Sequence, residues 1–408
     1  MRFLKGLRGN QFEFGVPTDA APVRQLKFKV RHCLALCLAS AFALLVAEPF
    51  SASAVSKPQK IILEHADTLR SRGDERELIG NVLAHRSSQT MSANHGVYNS
   101  SSGIITLMGD VELSDPEQSL KASYISYNEN NGNYEAIGGV DYQRPDSVRI
   151  RCESAQFTEA WQRLDLYRNV VVENLNDGTR ITGGYGNWNE ETSIAYVESK
   201  PVYRRPQPKT NPPDTLTIWS GRLKYDRPQN NALFTRDVNL LIGEVEAVAD
   251  TLFHEPDSNR TTLNGSPIIW RKADQLSGKQ IILTFEKNEL KTVWITGDAL
   301  MLSEAHAGDD RTNRLNGREA LITIVNDSSR HVHAEGDALA EYHVWDEKDV
   351  YQGVNLSAGD VIELMFQGKK AQQITLMGSV NGSFYPPRFA PPLEPRKPRE
   401  DKRRRNGM

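Results

Sequence analysis

Gly103–Leu113 reads GIITLMGDVEL, and the chain writes paler copies of it again and again: NYEAIGGVDY, RLDLYRNVVVE, NALFTRDVNL, KTVWITGDALML, HVHAEGDALAEY and QQITLMGSVNG. A catalytic site needs one constellation of residues, whereas a stack of similar strands needs one pattern repeated. Taking the apolar residue after each Gly-x as slot zero gives Val82, Val111, Val140, Val170, Val202, Val238, Ile268, Ala299, Ala338 and Val380. The spacing starts at 29 residues and grows to 42 toward the C-terminus, a period near 30 with insertions. Such a period belongs to a stacked array.

Inside each copy the alternation has period two. Slots −6, −4, zero and +2 hold Ile105, Leu107, Val111 and Leu113, then Tyr134, Ala136, Val140 and Tyr142, then Leu164, Leu166, Val170 and Val172. Later copies give Ala232, Phe234, Val238 and Leu240, and Val293, Ile295, Ala299 and Met301. The residues between are mostly polar, as in Thr106, Asp110 and Glu112, so each copy predicts a strand with one buried face. The glycine at slot −2 (Gly109, Gly138, Gly297, Gly336, Gly378) falls in the apolar register. A bulge or bend explains it first, and close approach of a ligand to bare backbone is the other reading.

Upstream of each strand, a small residue precedes an aromatic by five positions: Ala93 and Tyr98, Ala122 and Tyr127, Cys152 and Phe157, Gly183 and Trp188, Ser220 and Tyr225. An odd offset predicts that the two members face opposite ways. The turn-rich links NSSSG, NENNGN and DRPQNN that follow the aromatics predict hairpin-like units. The segment ADTLRSRGDERELIG is expected to be an irregular capping copy rather than a helix. Pro clusters in SKPVYRRPQPKTNPPDTL (199–216) mark a segment boundary or a long surface loop.

At the N-terminus, Lys27, Lys29 and Arg31 precede the apolar run CLALCLASAFALLVA and the small residues Ala52 and Ala54, the pattern of an export signal. Cys33 and Cys37 lie in that leader, which leaves Cys152 alone in the mature chain, with no internal disulfide possible. In a small-residue slot, Cys152 reads as a packed thiol. A formal charge of −3 over 408 residues argues against nucleic acid as a partner. A mean hydropathy of −0.52 fits a soluble body.

No phosphate-cradling Gly loop, G-x-S-x-G or H-E-x-x-H is present, so no catalytic residue, metal site or cofactor is expected. His331 and His333 would share a strand face but lack a third ligand of comparable spacing. Asp110, Asp237, Asp298 and Asp337 recur at slot −1 and read as turn or surface residues, not as a glycosidase pair.

Units of the form A-x-x-x-x-Y followed by G-[DN]-V-x-L, after an export signal and the start EHADTLRSRG, resemble the OstA-like family of lipopolysaccharide transport proteins. The likeness covers most of the mature chain and is strongest from Ile61 to Val172. It implies an all-β fold, an elongated, open, twisted β-jelly roll, here of about ten stacked repeats of roughly 30 residues. It also implies a periplasmic, non-enzymatic bridge protein whose trough shields lipopolysaccharide or lipid A acyl chains. Transport components at the inner and outer membranes, or a second copy of the chain, would join by edge-strand pairing.

The trough lining is expected from Ile105, Leu107, Val111, Leu113, Ala136, Val140, Leu164, Leu166, Val170, Val172, Phe234, Val238, Leu240, Ile295 and Ala299. The expected organisation is a signal peptide over 1–54, cleaved or else retained as a membrane anchor that would leave the protein membrane-associated, then repeats over 55–200, more divergent repeats over 201–385, and a Pro/Arg-rich tail over 386–408 that meets anionic head groups or serves solubility alone. The competing readings are a structural or adhesive β-solenoid without cargo and a polysaccharide-active β-helix.

Overall fold

The structure is a computed structural model that describes residues 62–390, apart from 87, 146, 208–213, 256, 272–273, 287–288, 307–308, 327–328, 347 and 368–369. The expected leader with Cys33 and Cys37, and the tail from residue 391 onward, lie outside the described residues.

The sequence's period-two runs become strands almost without interruption. They are β1 (Ile62–His65), β2 (Thr68–Arg72), β3 (Glu75–Arg86), β4 (Gln89–Asn99), β5 (Ile104–Ser114), β6 (Ser119–Asn128), β7 (Tyr134–Arg144), β8 (Val148–Thr158) and β9 (Arg163–Asn174). The series continues with β10 (Arg180–Asn189), β11 (Ile194–Glu198), β12 (Val202–Gln207), β13 (Asp214–Trp219), β14 (Arg222–Asp226), β15 (Asn231–Ile242), β16 (Val245–Glu255), β17 (Arg260–Asn264) and β18 (Ile268–Arg271). It ends with β19 (Asp274–Ser277), β20 (Gln280–Glu286), β21 (Glu289–Glu304), β22 (Thr312–Asn326), β23 (Ser329–Trp345), β24 (Tyr351–Gln367), β25 (Lys370–Met377) and β26 (Asn381–Tyr385). Helix is limited, among the described residues, to single 3-10 turns at Glu159–Trp161 and Pro387–Phe389.

All 26 strands join one antiparallel sheet in which each rung pairs with the next, so that where a rung is split into two strands both halves lie against the same neighbouring rung, as β1 and β2 do against β3, an elongated all-β jelly-roll-like array. The capping segment is itself a hairpin of β2 and β3 about Gly73–Asp74.

Each rung turns a corner, and the corner is the G-[DN] of the repeat. In β5, Met108 pairs with Tyr124 and Val111 with Ala122, so Gly109 and Asp110 stand opposite Ser123 alone. Both are left-handed, with φ of 73° and 48°. Two residues against one is a β-bulge, which bends the strand. The same left-handed pair recurs at Gly80–Asn81, Gly138–Gly139, Arg168–Asn169, Arg236–Asp237, Gly297–Asp298 and Gly336–Asp337. Glycine takes this conformation freely, and Asn and Asp take it more readily than other side chains. A Cβ on Gly109 would sit 2.8 Å from Asn94 Nδ2 on the neighbouring strand. The bend therefore accounts for that glycine, and a protein side chain already occupies the space a ligand would need.

Two copies differ from the expected frame. The left-handed pairs Ser199–Lys200 and Gly265–Ser266 are followed by Pro201 and Pro267, both buried. Slot zero thus belongs to these prolines, and Val202 and Ile268, one residue on, are only half-buried. Proline has no N–H to give a ladder, so these rungs are interrupted into β11 and β12, and into β17 and β18.

The expectation of opposite faces for the odd-offset pairs is also overturned. In β8, Val148, Cys152, Ala155 and Phe157 are all buried, while Glu153 between them is exposed. Arg151 pairs with Val171 but Ser154 with Tyr167, so the corner falls between Cys152 and Phe157 and resets the alternation. Both members of the pair face inward.

Candidate functional site

Two apolar clusters fill the inner face. One gathers Ala93, Val111, Leu120, Ala122, Ile125, Ala136, Val140, Cys152, Leu166 and Val170 from β4 to β9. The other runs from Ile181 to Ile362. They meet around an apolar cavity of about 130 Å³ walled by strands from β6 to β14.

The corner and the alternation together build this wall. β7 contributes Tyr134, Ala136, Val140 and Tyr142, and β9 contributes Leu164, Leu166, Val170 and Val172. β8 adds Val148, Ile150 and Ala155, while β10, β11 and β14 add Ile181, Trp188, Ala195, Val197, Leu223 and Tyr225. Gly186 leaves space beside Val170, whose Cγ1 lies 3.4 Å from where a Cβ would be. Among the described residues, no charged side chain lines the cavity.

Its polar atoms are few and neutral. The Tyr142 hydroxyl donates to Gln118 Oε1 at 2.9 Å. The Tyr134 ring stacks on Phe157 with centroids 5.1 Å apart. Burial pushes the phenols of Tyr134 and Tyr142 up, and that of Tyr225 up to about 12, so all three stay protonated at neutral pH. An uncharged, oily recess suits a hydrocarbon chain and offers nothing to acid–base chemistry.

Of the expected lining residues, Ala136, Val140, Leu164, Leu166, Val170 and Val172 come together here. Val111 is buried in the first cluster, with Leu107 and Leu113 packed against it and Ile105 half-buried on the same strand. Phe234, Val238, Leu240, Ile295 and Ala299 lie elsewhere, in the second cluster beside Ile218, Leu252 and Ile281. Exposure there is 1% for Phe234 and 0% for Ile218, Leu252, Ile281 and Ile295, so the interior at those rungs is filled.

Sequence reasoning missed Trp188 and Tyr225 as lining residues. Both are the aromatics of their copies, but the odd offset assigns them and their small partners to opposite faces. The signal was present, and the corner's effect on parity was not legible in it.

The remaining candidates are accounted for by their neighbours. Cys152 is buried, its thiol donates to the Ser154 carbonyl at 3.2 Å, and burial pushes it up to about 11. His333 Nδ1 lies 3.2 Å from Glu363 Oε1, and its Nε2 lies 3.5 Å from Glu335 Oε2. Asp110, Asp237, Asp298 and Asp337 are exposed on successive corners and do not converge on one rung.

Neither a protein-family model nor a curated protein matches the sequence. Among solved structures, the chain is similar to LptH of Pseudomonas aeruginosa, the LptA-homologous periplasmic component of a lipopolysaccharide transport device. The likeness has 14% identity and a TM-score of 0.28, covering 35% of this chain and 95% of that one.

Proposed function

We propose that the chain is a non-catalytic, lipid-binding β-array of the periplasm that shelters the acyl chains of lipopolysaccharide or lipid A on their way to the outer membrane. The observation that carries this reading is the charge-free cavity between β6 and β14. Water excluded from such a wall contributes roughly 25 cal/mol per Å² of apolar surface covered, which favours an acyl chain whose sugars stay in solvent. Six residues of the expected lining meet there, and the expected signal peptide would deliver the chain to the compartment where such lipids travel.

Partner transport components, or a second copy, would join at the terminal rungs. There β1 and β2 at one end and β25 and β26 at the other each pair on one side only among the described residues. An unpaired edge is a template for strand addition.

One observation favours a second reading, a structural array without cargo: the dry packing of the second cluster around Phe234 and Ile295. A photo-crosslinking amino acid placed in cells at Val170, with Ile295 as the control, separates the two. Capture of lipopolysaccharide at Val170 and not at Ile295 is expected. Capture at neither position, nor at Leu166 or Leu107, would leave the structural reading standing.

A further inference from the structure

The two longest spacings of the repeat, Ala299 to Ala338 and Ala338 to Val380, span the longest strands of the array, β21 to β24, and the loops that join β21 to β22 and β23 to β24. Those two loops clasp each other. The His306 ring stacks on Trp345 with centroids 4.9 Å apart, Trp345 packs against Tyr351 at 5.2 Å, and the Arg311 guanidinium lies 4.0 Å over the Tyr351 ring. His343 is buried against them, its Nδ1 3.0 Å from the Tyr351 hydroxyl. The clasp is not a closed core: His306, Trp345 and Tyr351 are each half-buried, and Val350 is 54% exposed. Asp310, Asp346 and Asp349 are exposed in the same two loops. Half-open rings with carboxylates around them have no part in sheltering a lipid.

The chain returns to this place at its C-terminal end. β26 runs antiparallel to β24 with Tyr385 opposite Val354, so it heads toward the end of β24 that carries Tyr351. The 3-10 turn Pro387–Phe389 then lies against β24. Tyr351 is only three residues, roughly 10 Å, beyond Val354. From Ala390 the sequence continues as PPLEPRKPRE (391–400). The residues from Tyr385 to Pro392 reach roughly 20 Å when extended, enough to meet the clasp.

In this stretch Pro392, Pro395 and Pro398 recur every third residue, and so do Leu393, Arg396 and Arg399. A polyproline II helix has three residues per turn, which puts the three prolines on one face and the two arginines together on the next. Proline faces of that kind dock on packed aromatic rings, and arginines beside them find carboxylates.

We propose that Pro392–Pro398 docks on the clasp of its own chain, with the proline face on Trp345 and Tyr351 and with Arg396 and Arg399 toward Asp346 and Asp349. The rings supply the non-directional part of the contact, and the opposite charges set the direction in which the segment lies. Tethering holds the segment at an effective concentration on the order of millimolar, so a contact that is weak between separate molecules suffices. The inference is independent of the lipid-binding reading.

The test places benzoyl-phenylalanine at Leu393, off the proline face, in the full chain. Irradiation is followed by mass-spectrometric mapping of the crosslinks. Crosslinks to residues 345–351 or 305–311 are expected, and in a mixture of ¹⁴N- and ¹⁵N-labelled protein they should join segments of one isotope only. Replacing the three prolines by serine (Pro392→Ser, Pro395→Ser and Pro398→Ser together) keeps every charge and leaves the folded array untouched, and it should abolish those crosslinks. Crosslinks elsewhere in the chain, no crosslink at all, mixed-isotope crosslinks, or crosslinks that survive the serine variant would each overturn the docking.

A second measurement uses a synthetic peptide of residues 390–400. In the parent its site is already filled by the tethered copy, so at micromolar concentration the peptide should bind the triple-serine protein and not the parent. Equal binding to both proteins, or binding to neither, would also overturn the proposal.

Discussion

At single residues, the corner of each rung makes the sharpest demands. Gly138 and Gly139 are both left-handed, at φ 85° and 70°, yet their surroundings differ. A Cβ at Gly138 would come within 2.7 Å of the Ser123 side chain, whereas one at Gly139 meets nothing within 4 Å. Gly138→Val should therefore cost about 1–3 kcal/mol, the strain of a branched residue in that region plus the collision. Gly139→Asp should stay within about 0.5 kcal/mol, because Asp110, Asp237, Asp298 and Asp337 fill the equivalent slot elsewhere. Urea denaturation of the two variants checks the contrast, and equal losses would refute it. Cys152 offers a second prediction at this scale. Its folded thiol is pushed up to about 11 from an ordinary value of 9.0 by burial. Between those values the unfolded chain has lost the proton that the folded chain keeps, so the thiol's contribution to stability falls as pH rises from about 9 and is gone by about 11. Native protein should resist a thiol-reactive disulfide at pH 8 and react only after denaturant is added. Prompt reaction in the native state would contradict the packed placement.

At the level of the strand, filled and open stretches of the interior should answer differently to the same truncation. Ile295 is fully inaccessible in β21 among Ile281 and Val293, so Ile295→Ala leaves a new void and should cost about 3–5 kcal/mol. Leu166 already borders free volume in β9, and Leu166→Ala should lie nearer the low end, about 2 kcal/mol. Chemical denaturation reads both, and a larger loss at Leu166 would mean that the cavity collapses around it. The strands themselves were legible because alternation with one greasy face has no other common explanation: Ile105, Leu107, Val111 and Leu113 fall on β5 as the pattern demands. What stayed hidden was the corner's geometry. Proline normally reads as punctuation, so the pattern points to Val202 and Ile268 in place of Pro201 and Pro267, although each proline follows a left-handed pair where the rung is interrupted. The parity reset between Cys152 and Phe157 comes from the same bend, and a strict period of two cannot express it. The candidate site carries both effects: alternation alone places the apolar face of β7 and β9 on the cavity, while Trp188 and Tyr225 reach it through the corner.

Across the whole described array, the inner face is buried and the two terminal rungs are not. Ile62 is 64% exposed and Leu69 59% at one end, and Val380 is 58% and Phe384 51% at the other. Apolar side chains on unpaired edge strands usually invite association, and natural sheets blunt such edges with short strands, charge or proline. Here the terminal strands are short, at four residues in β1 and five in each of β2 and β26, but the apolar side chains remain. Because the two ends carry different sequences, one end pairing with the other gives a head-to-tail contact, which repeats without closing on itself. The protein should therefore form a concentration-dependent ladder of oligomers instead of a discrete dimer. Leu69→Lys at one end should cap growth there, and Val380→Lys should do the same at the other. Mixing the two single variants, each with one intact end, should restore dimers through the unaltered pair of edges but nothing longer. Sedimentation velocity over a hundredfold range of concentration distinguishes these cases. A parent that sediments as a monomer throughout would show that these edges do not pair with each other and would leave them to a partner of different sequence.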